Sequence, residues 1–211
     1  MPDLIDQMKW RYACKKFTGE VIPEEKIARI IEAARLTPSS MGLQPYCLLL
    51  IEDKETISKL LPVAYNQSQL INCSHLIVLC AKSEVDSEYI DTYIKQVASD
   101  RDVSIESLEA YRQSILRTLS YKSGTDIPCW ITNQVYLLLG AMIVACAVEE
   151  VDSCPMEGFN SFQLDEVLGL NKKGLKSIVL LPVGVRDVDN DPFCKVVKVR
   201  KLQSEFCIQK L

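Results

Sequence analysis

Three short stretches of the chain are apolar without interruption: Cys47 to Ile51, Leu76 to Ala81 and Ile178 to Leu181. Runs of this length, rich in Leu, Ile and Val, predict strands covered on both faces of a sheet. A fourth run, Val196 to Val199, alternates less cleanly and ends in a basic cluster; it is a further strand candidate. Between them the period changes. Ile27, Ile30, Ile31 and Ala34 recur at helical spacing and predict a helix from Glu24 to Leu36, with Pro23 suited to its first turn and Pro38 stopping it. Ile57, Leu60 and Leu61 predict a shorter helix that Pro62 ends, and Ser161 to Leu168 another, capped by Gly169. Leu108, Ile115 and Leu119 mark a helix from about Ser104, a candidate N-cap, to Ser120. The longest helix is predicted from Trp130 to Val148. Its stretch from Val135 to Val148 is apolar throughout, yet shorter than the ~20 residues a membrane span needs, so it reads as a helix buried on all sides. No repeat, low-complexity tract or linker interrupts the pattern. The expectation is one domain over residues 1–211, α+β or α/β in class, built around one sheet and one central helix.

Composition narrows the class. Of 211 residues, 48% are hydrophobic and 25% charged, which excludes disorder and collagen-like order. The net charge of -4 opposes general affinity for nucleic acid or anionic membrane, while leaving room for a local basic pocket. The nine cysteines are odd in number and no two form CxxC, which argues against a secreted disulfide framework. The opening Met1 to Asp6 has no basic or apolar leader region. A cytoplasmic protein without membrane or nucleic-acid partners is expected.

Inventory removes several chemistries. The single histidine, His75, leaves zinc sites built on two or three histidines without ligands; directly before a buried strand, it reads as a satisfied structural residue. No metal site is expected. The eight glycines never fall as GxGxxG or as a Walker loop. What stands out is basic charge at two distant places: Lys9, Arg11, Lys15 and Lys16, then Lys195, Lys198, Arg200 and Lys201. Both could be solvated faces. Brought together, they would make a phosphate clamp of the kind a nucleotide site without a glycine loop requires.

The residues around these clusters carry a resemblance. Arg11-Tyr12-Ala13-Cys14-Lys15-Lys16-Phe17, then Pro38-Ser39-Ser40-Met41-Gly42-Leu43-Gln44-Pro45, resemble the opening of the FMN-dependent nitroreductase family, of the oxygen-insensitive NAD(P)H type. Asn66, Ser74-His75 with the strand to Lys82, Trp130 with Asn133-Gln134-Val135-Tyr136, Pro155-Met156-Glu157-Gly158-Phe159 and Lys198-Val199-Arg200 continue it in family order. Only about Glu84 to Gly124 looks unlike the family.

The resemblance implies a fold: α+β, with a central, mostly antiparallel sheet, flanking helices, a long buried helix and a domain-swapped-like homodimer. It implies that Arg11, Lys198 and Arg200 clamp the FMN phosphate, with the backbone of Tyr12 and Ala13 beside them. Lys15 matches the lysine next to N1 and O2 of the flavin, where a fixed cation stabilises the negative charge that reduction brings. Asn66 matches a pyrimidine-edge hydrogen-bonder, and Gln69 stands where enteric relatives carry a second lysine. Pro155 and Met156 would pack on one ring face, while the N–H groups of Glu157 and Gly158 address N5 and O4. Pro38, Ser39, Ser40 and Gln44 correspond to the segment that reaches the FMN of the other subunit.

Ala13 and Cys14 replace hydroxyl residues common in the enteric enzymes, and Met41-Gly42-Leu43 and Tyr46 depart from the commoner loop. The implied activity is an NAD(P)H-dependent FMN oxidoreductase that reduces nitroaromatics or quinones by ping-pong hydride transfer through flavin N5, with no catalytic side chain required. Flavin supply, dehalogenation or ene reduction within the family, and a non-redox FMN or phosphate-ligand binding protein outside it, are the alternatives.

Overall fold

The elements, in a computed structural model that describes residues 3–122 and 124–209, are mostly those the pattern predicts. In chain order they are α1 (Leu4–Trp10), α2 (Glu24–Arg35), β1 (Tyr46–Ile51), α3 (Lys54–Leu60), β2 (His75–Lys82) and α4 (Ser87–Arg101), followed by α5 (Glu109–Ser120), α6 (Asp126–Val148), β3 (Asp152–Ser153), α7 (Ser161–Leu168), β4 (Leu175–Gly184) and α8 (Gln203–Phe206). The strands form one sheet in the order β1-β2-β4-β3, each neighbour antiparallel. Leu48 lies opposite Leu79, and Val78 opposite Leu180.

The continuous apolar runs have a simple cause. Successive side chains of a strand point to opposite faces, and this sheet has a core on each. Ile77, Leu79, Val179 and Leu181 face one that holds α2 and α6. Leu76, Val78, Cys80 and Leu180 face the other, with Leu60, Leu70 and Leu164. The edge strand β1 departs from the expected full burial: most of its residues are half-exposed, because one of its edges has no neighbouring strand.

Three further expectations are corrected. Val196 to Val199 is not a strand. Val197 and Val199 are each 85% exposed, the segment pairs with no sheet edge, and Lys198 ties it instead to the end of α1. The helix predicted from Ser104 begins as α5 at Glu109; Ser104 Oγ accepts from the N–H of Ser107 and so caps the short turn before it. The long helix starts earlier, at Asp126, and is not buried on all sides. Trp130, Ile131, Val135, Leu138, Met142 and Cys146 line the core, whereas Tyr136, Leu137 and Val148 are exposed. By length and composition α6 could cross a membrane, but 44% of its apolar window is buried inside the fold.

Three helices have no counterpart among the predicted ones: α1, α4 and the short α8, which buries none of its residues. Helix α1 is capped by Asp3, yet it buries only Gln7 and leaves Leu4 and Ile5 exposed, so it shows no core-facing stripe. Helix α4 carries Ile90, Ile94, Val97 and Ala98 on its buried face, a helical spacing legible in the sequence, with Asp86 capping it.

Candidate active site

After α1 the chain turns extended and runs along the β3–β4 end of the sheet. Ala13 bridges to Ser153 and Phe17 to Arg186. Cys14 and Phe17 point into the core, leaving Arg11, Ala13 and Lys15 on the accessible side. Asp191 holds this segment in place: one carboxylate oxygen accepts from the Tyr12 hydroxyl at 3.0 Å and from the N–H of Lys15 at 2.7 Å, and the other from the N–H of Phe193 at 2.8 Å. Burial alone would raise the Asp191 carboxyl, but these donors outweigh it and hold the group below its ordinary range.

The two basic clusters thereby meet. A cavity of about 380 Å³ is lined by Arg11, Tyr12, Ala13, Lys15, Lys198 and Arg200, among others. Lys198 extends its ammonium to the carbonyls of Met8 (2.6 Å), Lys9 (2.9 Å) and Arg11 (2.5 Å), fastening the C-terminal segment to the carbonyl end of α1. Among the described residues no carboxylate pairs with Arg11, Lys15, Lys198 or Arg200. Burial, and then the neighbouring Arg200, lower the Arg11 pKa. Burial, then Arg11 and Arg200, do the same to Lys198. Among the described residues Arg11 Nε is buried with no partner, so this cluster can receive an anion. Arg186 is a further nearby cation, but it is spent on Asp152 (2.6 Å) and lies over the rings of Trp10 and Tyr12 at 4.0 and 4.8 Å.

Asn66, Gln69 and residues 154 to 158 do not line this cavity; they connect to it through Lys15, whose Nζ donates to Cys154 Sγ at 3.3 Å, while Gln69 Nε2 reaches the same sulfur at 3.8 Å. Gln69 is 7% exposed and lies beside Lys15, away from solvent. Asn66 is exposed, with positive φ, and its side chain has no partner among the described residues. Pro155 is half-buried. Met156 is buried at 4% exposure, and its backbone pairs with Leu180 at 2.8 and 3.0 Å. Glu157 accepts from the Tyr136 hydroxyl, and the Gly158 carbonyl from Gln67 Nε2. The N–H groups of Glu157 and Gly158 have no acceptor among the described residues and are free for a ligand.

Pro38, Ser39, Ser40 and Gln44 do not line this cavity. Their segment sits between the end of α2 and α6: Ser39 Oγ accepts from the Gln44 N–H, Gln134 Oε1 from the Ser40 N–H, and the Gln44 amide donates to Arg35. His75 is internally satisfied, its Nδ1 2.8 Å from Ser74 Oγ, and burial lowers its pKa. Ser74 Oγ also accepts from the Ile22 N–H, and both side chains are buried, so the pair meets no substrate.

Sequence reasoning missed Asp191, Arg186 and Cys154. Cys154 directly precedes the Pro155 block and could have been found there; Asp191 meets residues 12 to 15 only through the fold, with no local signal.

Comparison with known proteins agrees with this geometry. The profile of the Nitroreductase family matches residues 8–185, a range that includes the stretch from Glu84 to Gly124. The oxygen-insensitive NAD(P)H nitroreductase of Salmonella typhimurium is 26% identical over 197 residues, covering 89% of this chain and 91% of its own. A nitroreductase-like protein from Streptococcus mutans superposes with a TM-score of 0.84 at 20% identity, over 98% of each chain. A nitroreductase-type protein from Exiguobacterium sibiricum, solved in complex with FMN, superposes with a TM-score of 0.81 at 22% identity, over 100% of this chain and 98% of its own. With a match that takes in all four strands and the Arg11 to Lys15 side of the cavity, the chain belongs to the nitroreductase family.

Proposed function

We propose that the cleft holds FMN and that the chain is an NAD(P)H-dependent FMN oxidoreductase. The observation that carries this reading is the convergence of Arg11, Lys198 and Arg200 around a buried Arg11 Nε that lacks a partner. The two guanidiniums take the phosphate, and Lys198 secures the arm that carries Arg200 while adding positive charge. Lys15 faces the ring edge where negative charge collects on reduction, with Gln69 beside it and Asn66 at the pyrimidine edge. The free N–H groups of Glu157 and Gly158 address the reacting edge, and Pro155 offers its accessible side to a ring face. When bound, FMN would supply the two-electron chemistry for an NAD(P)H-dependent, ping-pong reduction of a nitroaromatic or quinone. The chain's own part is to bind, orient and charge-stabilise, so no side chain is assigned as acid or base.

The working form is a homodimer of this single domain. The exposed apolar face of α6, centred on Leu137 at 47% exposure, and the C-terminal arm, whose Ile208 is 88% exposed, are apolar surfaces that find no cover within one chain. A second copy covers them and brings Ser39 and Ser40 to the partner's flavin. All nine cysteines are unpaired, in keeping with a reducing cytoplasm.

The visible spectrum of the purified protein tests the cofactor. A yellow protein releasing FMN on denaturation is expected; a colourless one that gains no bound-flavin absorbance on titration with FMN overturns the reading. Steady NAD(P)H consumption with an added quinone separates the oxidoreductase from a binding protein that holds FMN without turnover.

A further inference from the structure

Helices α4 and α5 close on the segment that follows α2. Tyr89, in the first turn of α4, donates its hydroxyl to the carbonyls of Leu43 (2.8 Å) and Gln44 (2.9 Å). Tyr111 of α5 donates to the carbonyl of Met41 at 2.7 Å. Tyr93, one turn beyond Tyr89, packs edge-on against Tyr111 with ring centroids 6.5 Å apart. Its hydroxyl stands where a Cβ on residue 42 would have to go. Burial pushes the hydroxyls of Tyr89 and Tyr93 up to about 12, so both stay protonated through the neutral range.

The backbone held in this way is one that L-residues resist. Met41 has φ 56°, Gly42 69° and Gln44 43°. Side chains rarely adopt this left-handed region, and such a path persists only where the surroundings over-determine it. The surroundings here are specific. Three of the four carbonyls from Met41 to Gln44 accept from tyrosines of two different helices, and Arg112 ties those helices together through Asp91 at 2.5 Å.

We propose that Tyr89, Tyr93 and Tyr111 are positioning residues: they hold Met41, Gly42 and Gln44 in this left-handed geometry, with Leu43 right-handed between them, and so set Ser39 and Ser40 against the flavin of a second copy of the chain. This rests on the reading above, in which the Pro38 to Gln44 segment completes the partner's site. The hairpin then governs the flavin site from the neighbouring subunit without touching the cofactor, and a change in α4 or α5 alters affinity through loop geometry alone.

The test measures FMN dissociation constants by quenching of flavin fluorescence on apoprotein, with light scattering and thermal melts of the same samples. Tyr89→Phe combined with Tyr111→Phe keeps the rings and removes the hydroxyls. It should weaken FMN binding about tenfold, the loss of one to two net hydrogen bonds in affinity terms, while the dimer persists. Gly42→Ala should weaken binding as well, and adding Tyr93→Phe, which removes the obstructing oxygen, should restore part of that loss. Additive losses in the Gly42/Tyr93 pair, or unchanged affinity in the Tyr89/Tyr111 variant, overturn the proposal. Ser40→Phe separates the two levels: if it weakens FMN binding while the tyrosine variants do not, the proposal fails and the loop reading stands. If Ser40→Phe leaves the affinity unchanged, the loop reading itself fails, and the proposal with it.

Discussion

The ammonium of Lys15 donates to the buried sulfur of Cys154 at 3.3 Å, next to the proposed flavin site. Gln69 Nε2 approaches the same sulfur at 3.8 Å, so both side chains meet at Cys154.

Replacing Gln69 by Lys should therefore raise the flavin midpoint potential. A cation stabilises the negative charge of the reduced ring more than the neutral oxidised ring, and hydrogen bonds to charged partners are about twice as strong as neutral ones. Potentiometric titration of wild type and Gln69→Lys measures this. An equal or lower potential in the variant would mean that Lys15 carries the charge alone.

Arg200→Ala should weaken FMN binding by roughly 1.5–3 kcal/mol, about ten- to a hundredfold, since a charge-assisted bond is lost. Arg200 is exposed, so circular dichroism should show an unchanged fold. Undiminished retention of FMN through gel filtration at raised salt would place Arg200 outside the clamp.

Asp191 ties the Tyr12 to Lys15 segment to its own loop, and Asp191→Ala should destabilise the fold by about 2–4 kcal/mol, because the buried carboxylate and its partly buried donors lose one another. Its carboxyl lies below the ordinary 3.8, so between the folded and unfolded values the unfolded chain binds more protons. The stabilisation is complete above the unfolded value and is lost as pH falls through the folded one. Urea melts between about pH 3 and 6 should show a shallower acid limb in Asp191→Asn than in wild type. Parallel limbs would remove Asp191 from the acid response.

Leu137→Glu should dissociate the proposed dimer, since it sets a charge in the middle of the apolar face of α6. Light scattering reads the outcome, and FMN affinity should fall with it if Ser39 and Ser40 act across the interface. A variant that remains dimeric would move the interface away from α6.

Much of the fold was legible in local pattern. The strands at Cys47, Leu76 and Ile178, the helix between Pro23 and Pro38, and the Gly169 cap follow from spacing and from residues that act within one turn of themselves. The residues proposed to hold the cofactor stood out mainly as ordered blocks of a family resemblance, since neither basic cluster by itself differs from a solvated face.

The sequence by itself determined the apolar runs that must pair, the helix stops, the excess of cations at both ends of an acidic chain and the odd, unpaired set of cysteines. The tertiary structure alone decided that those cations meet, that Asp191 clasps Tyr12 and Lys15 from 176 or more residues away, and that Cys154 sits between Lys15 and Gln69. It also decided that Val196 to Val199 runs free of the sheet and that α6 keeps one face open. The reason is range. Capping and periodicity act over three or four positions along the chain, whereas a charge cluster or a sheet partner is fixed only once distant segments have packed, and nothing in a segment's own composition records which segment that will be.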